Sequence, residues 1–285
     1  MPVALLLLAA HGCQRPPVRI TPQPATRPAP ELTPAEADAR AEAVRLDPLG
    51  YLRRVAAKCE ALQQYTLTFT RTERRGLLGF VYGPEHFQCR FRRRPFSVHM
   101  LCLDPASTYL ESAYSEGQFE NKVRFITRRW VPGLLPPPAI NTVDLNTPVA
   151  IGETKRPLTD FGLERMMDNT LATFDAAGDE VLLTYAGLET LPETARTVHH
   201  LHFEYSPTRR KTPFQELYID AATDLPAGSV IKLRSGDLDS SYFYTDINPA
   251  VHLRDPDFLL QDEQPDRKGA AARPAPTHDE SRRRR

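Results

Sequence analysis

Apolar residues recur along the chain with two different periods, and the change from one to the other falls near Gln64. Before that point Leu49, Leu52, Val55, Cys59 and Leu62 return every three or four residues, which is one stripe of a helix. Asp47 is placed to cap this helix, with Pro48 at the first position, where a missing N–H costs nothing. After Gln64 the period is two. Tyr65, Leu67 and Phe69 alternate with Thr66, Thr68 and Thr70, and Phe87, Cys89 and Phe91 with Gln88, Arg90 and Arg92. Phe96, Val98, Met100 and Cys102 alternate with Ser97, His99 and Leu101. This alternation predicts half-buried antiparallel strands, and further strands follow over 109–115, 122–128, 181–188, 197–205, 214–220, 229–234 and 241–248. A second helix, capped by Thr159 and carrying Leu163, Met166, Met167, Leu171 and Phe174, is inserted between the fifth and sixth strands.

The pattern predicts an α+β domain: a curved antiparallel sheet with an N-terminal helix and one inserted helix. Turns at 223–228 and 234–237 carry the Asp and Gly that tight reversals need. A meander wrapped around a helix leaves a concave apolar face. Alternation alone assigns Leu67, Phe69, Phe91, Met100, Phe203 and Leu217 to that face, as candidates for contact with an apolar ligand. Ordinary core packing accounts for each of them taken singly.

The two ends have another character. The run Val3–Ala10 is too short to span a bilayer but has the length of a signal-peptide apolar region, and it leads into Ala10-His11-Gly12-Cys13. A small residue before a cysteine is what bacterial lipoprotein signals look like, which makes Cys13 the expected lipidation site and new N-terminus. The alternative is an uncleaved segment or a different start. Residues 14–46 contain Pro16, Pro17, Pro22, Pro24, Pro28, Pro30 and Pro34, spaced too closely for a packed element, and predict a disordered tether with at most a short helix over 36–45. The folded domain is expected over 47–264, followed by a disordered basic tail, 265–285, ending in Arg282–Arg285.

Several segments together resemble a known family. They are Tyr65–Phe69 with Glu73-Arg74, Arg94-Pro95-Phe96-Ser97-Val98, Tyr114–Lys122 with Gly117 and Asn121, and Arg156-Pro157-Leu158-Thr159 before a helix. In this order and spacing they are similar to the bacterial domain of unknown function 1571. The ending Tyr244–Pro249 with Leu253, Asp255 and Asp257-Phe258 resembles, more remotely, that of LolA-like and LolB-like lipoprotein carriers. The resemblance implies an envelope protein whose sheet is an unclosed β-barrel covered by helices, with a cavity that in the carriers holds acyl chains. It implies no activity and no catalytic residue, and a fold alone does not give a function.

Cysteine and histidine supply the remaining candidate chemistry. If a tight turn joins the strands flanking Arg93–Phe96, Cys89 falls opposite Cys102 and a cross-strand disulfide is conceivable. The alternative is two small buried thiols. On the strand His199–Tyr205, His200, His202 and Glu204 share one face, a weak candidate for a metal, while the same row equally fits the wet side of a half-buried strand. Arg90, Arg92, Arg93 and Arg94 form a basic cluster that could meet phosphates or simply face solvent. The chain contains no Gly-x-Ser-x-Gly elbow, no His-Glu-x-x-His, no phosphate loop and no dinucleotide fingerprint, so neither an enzyme nor a cofactor is expected.

Charge changes the picture last. The 36 Lys+Arg and 36 Asp+Glu cancel, which argues against a dedicated nucleic-acid binder. The zero hides an asymmetry: residues 46–130 carry 14 basic and 8 acidic groups, residues 131–264 carry 10 and 21. The sequence thus points to a non-enzymatic, lipid-anchored protein of the bacterial cell envelope, facing the periplasm. Its partners are expected to be the membrane, through the N-terminal anchor, and an acyl chain of a lipid or lipoprotein on the concave sheet. The alternative is a structural or protein-binding envelope module with a closed core. Nothing in the sequence fixes the oligomeric state.

Overall fold

The computed structural model describes residues 32–76, 78–206 and 211–263; Cys13, most of the Pro-rich stretch and the basic tail lie outside them. In chain order the elements are α1 (Pro34–Leu46), α2 (Pro48–Ala61), β1 (Gln64–Arg75), β2 (Phe80–Arg92), β3 (Ser97–Cys102), β4 (Tyr109–Ser115), β5 (Val123–Thr127) and β6 (Asn141–Val143). There follow α3 (Thr147–Ala150), α4 (Leu163–Ala177), β7 (Val181–Leu191), β8 (Arg196–Tyr205), β9 (Phe214–Asp220), β10 (Pro226–Lys232) and β11 (Leu238–Asn248). The strands form one antiparallel sheet in the order β6-β5-β4-β3-β2-β1-β11-β10-β9-β8-β7.

Two meanders meet at the β1–β11 pair, and the two outermost strands, β6 and β7, do not pair with each other. The connection between these two edges carries α3 and α4. The curved sheet is therefore an unclosed barrel whose chain crosses its own opening with helices, the α+β architecture expected from the alternating pattern. Alternation holds where it is strongest: Tyr65, Leu67 and Phe69 face inward with Phe87, Cys89 and Phe91, and Leu201, Phe203 and Tyr205 with Leu217 and Ile219. α2 presses Leu52, Val55 and Cys59 into the concave side and α4 presses Leu163 and Met167, so that helices and sheet share one core.

The structure departs from the sequence reading in four places. First, Pro34–Leu46 is not tether. Thr33 and Glu36 form a reciprocal capping box, Ala41 and Val44 are buried, and the Arg40 guanidinium donates to the Ala221 carbonyl at 2.9 Å, so α1 is part of the folded unit. Second, α4 is capped by Gly162, not Thr159, which lies in a short 3₁₀ turn. The N–H of Leu163 instead donates to the buried Tyr65 hydroxyl at 2.9 Å. Third, the β2–β3 turn takes four residues, Arg93–Phe96, so Arg92 pairs with Ser97, Cys89 with Met100 and Cys102 with Phe87. Cys89 and Cys102 are therefore not opposite each other, and both are free. Fourth, the three-residue β6 has too little alternation to be legible.

The segment after β11 straps the convex side of β2–β5. Leu260 is fully buried in a second apolar cluster with Leu101, Leu110, Ala113 and Ile126. Polar anchors hold the strap: Arg90 donates to the Asp257 carbonyl at 2.9 Å, Arg92 pairs with Asp255 at 2.7 Å, and the buried Arg124 donates to the Phe258 carbonyl and pairs with Glu263. The Gln261 N–H donates to Glu111, whose other carboxylate oxygen lies 2.6 Å from His99.

Candidate functional site

The helices fill only part of the concave face. Where β1, β2, β3 and β11 face the crossover between β5 and α4, they leave a cavity of about 420 Å³, within the range of small-molecule sites. Phe69 is its central wall. Its ring stacks on Tyr244 at 5.4 Å and lies edge-on to Phe161 of the crossover at 5.4 Å, with Phe87 and Tyr242 at 6.1 Å. Met100 adds a flexible thioether to the same lining.

One end of this apolar space is ionic. Arg71 pairs with Glu85 at 2.9 Å, lies 5.1 Å over the Phe87 ring and donates to Thr154 of the crossover at 3.2 Å. Arg75 pairs with the same Glu85 at 2.8 Å and donates to the Glu153 carbonyl. Glu73 is 1% exposed, and Tyr242 donates to one of its oxygens at 2.8 Å. Its other oxygen is buried without a hydrogen bond, with the Arg71 and Arg75 guanidiniums 3.9 Å away. Burial, reinforced by the Glu73 charge and hydrogen bond, holds the Tyr242 hydroxyl far above its ordinary pKa. Tyr109, another wall residue, is pushed up to about 12 by burial and by the Glu153 carboxylate.

Of the six candidate ligand contacts, Phe69 and Met100 line the cavity. Leu67, Phe91, Phe203 and Leu217 are instead buried in the core shared with the helices: Phe91 stacks on Tyr65 at 4.7 Å, and Phe203 meets Phe174 of α4 at 6.2 Å. Alternation identifies the inward face but not which part of it a helix covers. Arg71, Glu73, Glu85 and Tyr242 were missed, although a signal was present. In β1 the inward row Tyr65, Leu67, Phe69 continues as Arg71 and Glu73, and in β2 Glu85 precedes Phe87 on the same row. Charges that keep the core parity of a strand mark a polar pocket.

The other candidate chemistry is dispersed. His200 and His202 lie on the opposite face of the sheet, and the carboxylate they meet is Glu216 of β9, at 2.8 and 2.9 Å, not Glu204, which is exposed. Among the described residues no group of three His, Cys, Asp or Glu side chains is placed to hold a metal ion. In the arginine cluster, Arg90 and Arg92 hold the C-terminal strap, while Arg93 donates to the Cys59 and Leu62 carbonyls at the end of α2 and pairs with Glu164 of α4 at 2.9 Å. These three guanidiniums fasten the fold, and Arg94 remains exposed. No described helix is long and apolar enough to cross a membrane.

Geometry defines the class: an open, curved antiparallel sheet packed on helices, with an apolar cavity on its concave side. The chain belongs to the family described as protein of unknown function DUF1571, whose model matches residues 62–266. Solved structures with similar folds include MucB, at 16% identity over 78% of this chain, with a TM-score of 0.43. The chain spans 63% of that protein's length. The lipoprotein LppX of Mycobacterium tuberculosis is similar at 10% identity, covering 73% of this chain and 100% of its own, with a TM-score of 0.42. A LolA superfamily protein of Nitrosomonas europaea is similar at 9% identity over 74% of this chain and 96% of its own, with a TM-score of 0.33. No curated protein sequence matches the chain significantly.

Proposed function

We propose that this protein is a non-enzymatic lipoprotein of the bacterial cell envelope that binds an acyl chain of a lipid or lipoprotein in the cavity on its concave sheet. The supporting observation is the cavity itself. Phe69, Phe87, Met100 and Phe161 offer a continuous apolar wall that α2 and α4 leave uncovered, and an apolar chain entering it is removed from water at about 25 cal/mol per Å². Anchoring through Cys13 places the domain at a membrane surface, and the proline-rich residues after it supply reach.

Native mass spectrometry of the full chain tests the reading. Co-purifying lipid, and uptake of an uncharged fluorescent apolar probe, N-phenyl-1-naphthylamine, that Met100→Trp weakens by at least about tenfold through filling the space, is the expected result. A lipid-free preparation that takes up no such probe overturns it. One observation favours a second reading, a structural or protein-binding module: four of the six inward candidates are already covered by the protein's own helices. That reading predicts no lipid in the same experiment.

A further inference from the structure

The ionisable groups around the cavity do not balance. Six of them line it, namely Arg71, Arg156, Glu73, Glu85, Glu153 and Asp160, two cationic and four anionic. Arg71, with Arg75 behind it, is engaged by Glu85. Lys155, on the same crossover, is engaged by Asp239. Among the described residues the carboxylates of Glu153 and Asp160 have no ion-pair partner, and the single cation in the lining without one is Arg156. Glu73 lies 3.9 Å from both Arg71 and Arg75, so these two arginines balance Glu73 and Glu85, and the groups left over are Glu153, Asp160 and Arg156. Burial is the main cause that raises both Tyr109 and Tyr242; the Glu153 charge adds to it at Tyr109 and the Glu73 charge at Tyr242, with Arg75 and Arg156 opposing. The second half of the domain, which supplies the crossover, carries the acidic excess counted along the sequence.

We infer that the cavity selects amphiphiles whose head carries a cation, and in particular a zwitterionic head with an ammonium toward Glu153 and Asp160 and a phosphate toward Arg156, over amphiphiles with a purely anionic head. The inference rests on the reading of the cavity as an acyl-chain site and adds the class of head group. The physical ground is that the apolar wall cannot discriminate between heads on identical chains, whereas charges at its rim can: Glu153 and Arg156 are exposed and Asp160 is half-buried, so their effect is largest at low salt. A purely anionic head would gain Arg156 but stand beside two uncompensated carboxylates. An ammonium supplies the opposite charge that those carboxylates lack.

The test is a competition on the full chain between palmitoyl lysophosphatidylethanolamine and palmitoyl lysophosphatidylglycerol, equimolar and at low salt, read by native mass spectrometry. The expected result is a preference of at least about fivefold for the ethanolamine head, shrinking as salt is raised. The double variant Glu153→Gln, Asp160→Asn should bring the ratio close to unity while retaining uptake, with its folded state checked by circular dichroism. Equal binding of the two heads, or a preference that survives in the double variant, overturns the inference and leaves the acyl-chain reading standing. If neither lipid binds, the acyl-chain reading itself fails and the inference fails with it.

Discussion

Tyr242 and Glu73 meet diagonally across the β1–β11 pair, the tyrosine hydroxyl donating to a carboxylate that is 1% exposed, at 2.8 Å. The Tyr242 ring is also part of the aromatic wall around Phe69, so one side chain joins the apolar and ionic ends of the cavity. Tyr242→Phe keeps the ring and removes the only hydrogen bond to the Glu73 carboxylate among the described residues. Leaving a buried charged acceptor without its donor is expected to cost about 2–3 kcal/mol of unfolding free energy, measured by urea denaturation. Adding Glu73→Gln should recover part of the loss, because the group left unpaired is then uncharged. A double variant less stable than the single one would show that the two arginines near Glu73, not Tyr242, carry the stabilisation.

Gly162 stands where the crossover enters α4, at φ +131°, and an added Cβ would lie 3.0 Å from the Phe91 ring and 3.3 Å from the Tyr65 hydroxyl. That hydroxyl is the group that accepts the Leu163 N–H, so side-chain bulk here strikes the cap of the helix as well as the core. Gly162→Ala is expected to destabilise by about 2–4 kcal/mol, from backbone strain and overpacking together. Gly178→Ala, at φ +55° and ψ −125° with no heavy atom within 4 Å of the new Cβ, meets backbone strain alone and is the control, with an expected cost of about 1–3 kcal/mol and no overpacking contribution. Thermal unfolding of the two variants side by side separates close approach from strain.

Glu216 sits between His200, His202 and Lys232. Burial alone would raise its pKa, but hydrogen bonds from these three residues outweigh it and lower the value from an ordinary 4.5 to about 2. A carboxylate depressed in the folded state contributes stability that is fully present above pH 4.5 and is lost as the pH falls toward about 2. The gap in stability between the natural chain and Glu216→Gln should therefore narrow as the pH falls from about 4.5 toward 2, read as urea midpoints over a pH series. A gap independent of pH from 5 to 2.5 would mean that Glu216 is not held as a carboxylate by its neighbours.

How far the sequence reveals this molecule depends on which interactions are local. Tyr65 to Phe69, Phe87 to Phe91 and the α2 stripe state their own geometry through period, and with the α4 pattern they carry the fold class. Gly162 is less legible, because part of its need for glycine comes from Phe91, 71 residues away, in addition to its own φ of +131°. The same holds for the cavity. Leu67 and Phe69 are equivalent in the pattern, yet helices cover one and the cavity exposes the other to a ligand. Partition of the concave face is decided by where α2 and α4 land, which is tertiary information. The polar end is the exception, since Arg71, Glu73 and Glu85 announce themselves by keeping the parity of the core.

The same dependence on tertiary register governs the cysteines and leads to a chemical test. With the four-residue turn at Arg93–Phe96, Cys89 pairs with Met100 and Cys102 with Phe87, and both thiols are buried within the apolar core. Burial pushes the Cys59 thiol up to about 12 and Cys89 well above its ordinary value, so at pH 8 neither supplies thiolate. In the folded protein Cys59, Cys89 and Cys102 should resist iodoacetamide at pH 8, and all three should be alkylated once denaturant is added without reductant. Peptide mass spectrometry distinguishes the sites. If Cys89 and Cys102 stay unmodified in denaturant until a reductant is present, the strands are joined by a disulfide and the register pairing Cys89 with Met100 is wrong.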